Sequence, residues 1–228
     1  VITVRKVGSL PLLAAALLVV GLVALLLDVP LAIWLEGNRL SGELLRPFKF
    51  AEIGGHGTGA AMLLLATLWL RRQRWTSGAA QGAVPLRLVA ATYLGGLLVD
   101  GLKLVVPRVR PRFADLAPHL GAIDTFGRQL LELGEDSRAA LMSFPSGHSA
   151  IAAGLAAALC WFHPPGRAVF LCLAGLACLQ RLLSGAHYLS DVCIGASIGL
   201  LGAWLALHSI RAPRLFALGE PGRNHAGS

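Results

Sequence analysis

The chain has 228 residues, of which 55% are hydrophobic and only 14% charged. Its mean hydropathy is +0.67. Soluble domains carry about 25% charged residues, so intrinsic disorder, a collagen-like fibre and a disulfide-stapled secreted miniprotein are excluded. A net charge of +8 reflects topology in such a chain and does not imply a nucleic-acid partner.

Six apolar runs predict an all-α polytopic membrane protein. In chain order they are 7–27, 53–70, 88–106, 146–162, 168–183 and 192–210. The Leu/Ala/Val runs do not alternate, which argues against a β-barrel. The first run follows Arg5 and Lys6 but lacks a small-x-small cleavage site before Asp28, so it reads as a retained helix. The 27 glycines suit close helix–helix contact. The four cysteines, Cys160, Cys172, Cys178 and Cys193, are expected as small buried apolar residues.

Orientation follows from Lys and Arg density. With the N-terminus inside, segments 1–8, 71–87, 163–167 and 211–228 hold 10 Lys/Arg in 48 residues. The outside segments 28–52, 100–147 and 181–191 hold 10 in 84, diluted by 11 acidic residues. Both termini are therefore expected in the cytoplasm. The expected organisation is a six-span domain over 1–211 and a cytoplasmic tail over 212–228.

Ionisable residues are costly inside membrane helices, yet here they gather at helix ends. Lys103 and Arg110 close the third run, Ser146, Gly147 and His148 open the fourth, Arg181 ends the fifth, and His187 and Asp191 lead into the sixth. Alternating topology brings all of them to the outer face. Cations at helix C-termini and free N–H groups at helix N-termini predict an oxyanion site. A metal site is not expected: the Lys and Arg would repel a divalent cation, and further ligands are lacking.

The segment KLVVPRVRP (Lys103 to Pro111) resembles the first motif of the type 2 phosphatidic acid phosphatase family. PSGH (Pro145 to His148) resembles the second, and RLLSGAHYLSD (Arg181 to Asp191) the third. Gln180 stands where the family carries Ser; its amide is expected to donate a hydrogen bond there. The resemblance implies an integral-membrane phosphatase acting on a lipid phosphomonoester or diphosphate, with no cofactor or metal. Its partners would be a lipid phosphate substrate and membrane lipids, at the plasma (inner) membrane. It implies His187 as a nucleophile forming a phosphohistidine, with Asp191 accepting its other ring N–H. His148 would be the general acid and base. Lys103, Arg110, Arg181, Ser146 and Gly147 would hold the phosphoryl group. Arg108, Arg112 and His56 are further candidates for substrate contact. GGHGTG around His56 is no phosphate loop, because the following Lys-Ser/Thr is absent.

Three other functions compete. A lipid phosphotransferase would use the same intermediate, a vanadate-dependent haloperoxidase the same pocket, and a lipid-binding or transport protein would need neither histidine. The candidate substrates are undecaprenyl diphosphate, phosphatidylglycerol phosphate, phosphatidic acid, diacylglycerol diphosphate and lipid A phosphate.

Overall fold

A computed structural model describes residues 8–70, 83–131 and 138–208. The expected tail (212–228) and the basic inner positions Arg5, Lys6, Arg71, Arg72 and Arg74 lie outside the described residues. The described residues are helical with no β-strand, as the apolar runs require: α1 (Leu10–Ala24), α2 (Asp28–Gly37), α3 (Gly42–Ala51), α4 (Gly57–Leu70), α5 (Ala83–Lys103), α6 (Gly147–Phe162), α7 (Arg167–Leu183) and α8 (Leu189–His208). Each of the six apolar runs forms a helix.

Three spans are long and apolar enough to cross a membrane unaided: Val84–Lys103, Pro164–Leu183 and Leu189–His208. Two bent pairs pass by length and composition when taken together, as broken spans or re-entrant loops: α1 with α2, at 76°, and Gly42–Gly55 with α4, at 75°. The apolar helix α6 is shorter, at 16 residues.

Segment 28–52, expected as an outer loop, is instead two helices followed by a 3-10 turn, Glu52–Gly55. The first bend has a visible cause. Asp28, at the head of α2, is drawn into the protein, with its carboxylate accepting from Ser190 N–H (2.9 Å) and Arg108 Nη2 (2.7 Å). Buried carboxylates need such partners. In α3 the polar and apolar residues segregate along GELLRPFKFA, with Glu43 and Arg46 paired at 2.7 Å.

The helix α8 is the bundle's centre and packs against α1, α5 and α6. Glycine makes that approach possible. A Cβ on Gly199 would lie 2.2 Å from Ala150 O, and one on Gly195 2.3 Å from Ser146 O. Backbones this close exclude every larger residue. The peripheral α7 keeps most of its apolar surface outward, with Val169, Leu171 and Leu173 exposed, as lipid contact requires. Cys172 is exposed on the same helix, so it is not the buried residue expected, whereas Cys193 is buried.

Candidate active site

Backbone hydrogen bonds bring the three motifs together. Arg112 N–H donates to Gly185 O (3.0 Å), joining the first motif to the third. Gly185 adopts φ +61°, a conformation that favours glycine, and a Cβ there would meet Arg112 Cβ at 3.2 Å. Ser146 N–H donates to Asp191 O (3.0 Å), joining the second to the third. Arg108 N–H donates to Leu141 O (2.8 Å) and Ser143 N–H to Arg108 O (3.1 Å), so the chain entering the second motif is paired with the first.

His187 is 2% exposed and precedes α8. Its Nδ1 lies 2.7 Å from Ser143 O. A carbonyl only accepts, so Nδ1 carries the hydrogen and Nε2 keeps its lone pair. Asp191, expected as the acceptor of that N–H, is 3.7 Å away. Its carboxylate is taken up by Arg108 Nη1 (2.5 Å), Ser143 Oγ (2.6 Å) and Tyr188 N–H (3.0 Å). Asp191 therefore fixes Ser143, and Ser143 orients the ring. Burial pushes the His187 pKa down to about 4, against the opposing pull of Asp191. The imidazole is neutral at pH 7.

Arg108 corrects a second expectation. It is not a substrate contact: it is fully buried, with 0% exposure. Its guanidinium bonds Asp28, Asp191, Ser190 Oγ (2.9 Å) and Thr125 Oγ1 (2.8 Å). Phe126 and Tyr188 cover it, with ring centroids 4.6 and 4.2 Å from Cζ. Burial alone would lower its pKa, but Asp191 and Asp28 outweigh it and the net direction is up.

The remaining cations gather near one another. Lys103, Arg110 and Arg181 lie within electrostatic reach of one another. Arg181, His187, His56 and Lys103 all lie within reach of His148. The Lys103 ammonium would be 3.3 Å from a Cβ on Gly147, so it stands over the start of α6. Asp100, three residues before Lys103 on the same helix, is 4.0 Å away. Arg110 is braced by Ala139 O (2.9 Å) and Met142 O (3.3 Å). Burial, reinforced by Arg112 and Arg181, lowers its pKa to about 10, the mark of cations without enough counter-charge. Arg112 is exposed and stacks on Phe113 at 4.8 Å. Its side chain also lines a cavity of about 460 Å³ that touches His187 but none of Lys103, Arg110, Arg181 or His148.

Ser146 is fully buried, and its Oγ is the N-cap of α6, accepting from Ser149 N–H (3.4 Å) and Ser149 Oγ (2.9 Å). Its hydroxyl thus secures the helix instead of facing a ligand. The N–H groups of Gly147 and His148 belong to the first turn, where the helix ladder supplies no acceptor. Gln180 Oε1 accepts from Arg181 Nη1 at 3.0 Å, so the residue in the place of Ser holds the arginine.

Two acidic residues were not found from the sequence. Asp28 anchors Arg108. Glu52, in the turn after α3, pairs with Arg181 Nη1 and lies 3.9 Å from His148 Nε2. The same turn presses on the second motif: a Cβ on Gly55 would be 2.9 Å from His148 O. His56 follows with its ring centroid 5.6 Å from that of His148, and its Nδ1 shares a hydrogen with Thr58 Oγ1 at 2.9 Å. Beside this turn runs an apolar groove of about 300 Å³, bounded by Phe50, Ile53, Ala152, Leu155 and Ala177. Ala152 is one helical turn from His148.

The described residues contain no cluster of His, Cys, Asp and Glu fit for a metal ion. What they offer is an excess of guanidinium and ammonium groups around two imidazoles, a setting for an oxyanion.

Comparison with known proteins agrees. The chain is 32% identical to a lipid A 1-phosphatase of Rhizobium etli over 121 residues, 53% of this chain and 46% of that protein. It is 34% identical to a lipid A 1-phosphatase of Rhizobium johnstonii over 118 residues, 49% of this chain and 41% of that one. It thus matches under half the length of these relatives. The crystal structure of Aquifex aeolicus LpxE aligns with a TM-score of 0.53 at 25% identity, covering 79% of this chain and 94% of that one. The profile of the PAP2 superfamily matches residues 84–214, more than half of the chain and every one of the three motifs, and the protein belongs to that family.

Proposed function

We propose that the protein is an integral-membrane lipid phosphate phosphatase that hydrolyses a phosphomonoester through a phosphohistidine on His187. The observation that carries this reading is the Nδ1–H bond to Ser143 O, which leaves a buried, neutral imidazole with its Nε2 lone pair free beside Arg110 and Arg181. As Nε2 bonds to phosphorus, the bond from phosphorus to the lipid oxygen breaks. His148 gives that oxygen its proton. Water then attacks phosphorus, His148 takes the water's proton, the P–N bond breaks, and inorganic phosphate leaves. Lys103, Arg110, Arg181 and the first N–H groups of α6 balance the charge of the phosphoryl oxygens.

The groove beside His148 supports a lipid substrate, because it offers an acyl chain an apolar path ending one helical turn from the general acid. The likeness to lipid A 1-phosphatases supports a lipid A phosphate as the first substrate to test. Lys/Arg density supports a plasma-membrane orientation with both termini cytoplasmic and the site facing outward.

The test is phosphate release from purified protein over lipid A phosphate, phosphatidylglycerol phosphate, phosphatidic acid and undecaprenyl diphosphate, beside His187→Ala. Release by the unsubstituted protein alone is expected. The absence of release from all four, or equal release by both proteins, contradicts the reading.

A further inference from the structure

Glu52 differs from the two buried acidic residues beside the site. Asp28 and Asp191 are fully buried and bound to Arg108. Glu52 is 29% exposed, on a short turn, and its partner belongs to the oxyanion cluster. One and the same oxygen, Oε1, bonds Arg181 Nη1 and lies 3.9 Å from His148 Nε2. A carboxylate and a phosphoryl group present similar oxygens to a guanidinium. An oxygen between the anchoring arginine and the general acid is where the mechanism above needs a substrate oxygen.

The charge balance supplies a reason for this placement. The side chain of Arg181 is 9% exposed, and its Nε has no hydrogen-bond partner among the described residues. A buried cation left without a counter-charge is costly. When a phosphate dianion occupies the cluster, that need is met by the ligand, and a carboxylate in the same place would be repelled. The two anions therefore exclude each other.

We propose that Glu52 is a built-in competitor for the phosphoryl seat. Its carboxylate neutralises Arg181 while the site is empty, swings off as a lipid phosphate enters, and returns to Arg181 as inorganic phosphate leaves. This rests on the reading of the Arg181–His148 cluster as that seat. The turn touches the protein through backbone at Gly55, and the part-exposed side chain of Glu52 ties it to Arg181.

The experiment is titration of orthovanadate and of inorganic phosphate into detergent-solubilised protein, by calorimetry and without turnover. Glu52→Gln keeps the shape and removes the charge; Glu52→Ala removes both. Each is expected to bind both anions roughly tenfold more tightly than the unsubstituted protein, the effect of lifting one competing ion pair. Unchanged or weaker binding in the variants overturns the proposal and leaves the phosphatase reading intact. No binding by any of the three proteins overturns both. The unsubstituted protein gives a second readout that needs no variant. Saturating orthovanadate is expected to speed amide hydrogen exchange across residues 52–56, because the tether to Arg181 is lost; unchanged or slower exchange contradicts it.

Discussion

Arg108 and Arg181 are both buried arginines of the candidate site, and they use the same guanidinium in opposite ways. Arg108 is sealed from solvent, and two carboxylates, two hydroxyls and two aromatic rings satisfy it. Arg181 has one part-exposed carboxylate, one amide oxygen and a spare Nε. Around Arg108 two carboxylates face one guanidinium, and the result is a scaffold joining α2, the first motif and α8. Around Arg181 cations are in excess, and the result is a seat for an anion. A buried arginine is thus not a binding residue by type: the count of its counter-charges decides.

The largest effect belongs to the residue between these regions. Replacing His187 with Ala removes the proposed nucleophile, and phosphate release is expected to fall by about 10⁴-fold. The two arginines come next and separate by readout. Arg108→Ala strands two buried carboxylates and is expected to cost about 3–5 kcal/mol of stability, seen as loss of a cooperative melt in detergent. Arg181→Ala is expected to melt normally and lose about 10²-fold in rate. If Arg108→Ala melted normally and lost only rate, the contrast between scaffold and seat would break.

Acid sharpens the comparison. The folded-state pKa of His187 is lowered from 6.5 to about 4. The unfolded chain therefore takes up the proton first as pH falls, and the stability held above about pH 6.5 is lost on the way down to pH 4. Relative to His187→Phe, the protein is expected to lose about 3 kcal/mol between pH 7 and pH 4, measurable by denaturant titration. An unchanged difference would mean that the ring is not buried neutral.

A smaller effect tests the packing that supports both regions. Gly195→Ala places a methyl 2.3 Å from Ser146 O. It is expected to cost about 1–3 kcal/mol through overpacking, read as a lower melting temperature, and to slow turnover by shifting the start of α6.

Much of this was legible from the sequence because it is local. The apolar runs write their helices directly, and the motif residues sit at run ends where charge is conspicuous. Asp28 and Glu52 were only counted among the acidic residues of the outer segments, because nothing near them in sequence reveals a partner: Ser190, which binds Asp28, is 162 residues away. Both precede the matched segment 84–214, so the motifs could not point to them. The amphipathic pattern of GELLRPFKFA was a signal for α3 that the loop reading passed over. The expected His187–Asp191 pair is present as neighbours at 3.7 Å, but the ring N–H goes to Ser143 O instead, a partner 44 residues away that no local spacing reveals.

The most direct measurement is to react the purified protein with a ³²P-labelled lipid phosphate, quench under alkaline conditions that preserve phosphohistidine, and map the label by peptide. Label on the peptide bearing His187, absent from His187→Ala, is the predicted result. Steady phosphate release with no labelled protein, or with label on another residue, would contradict the account.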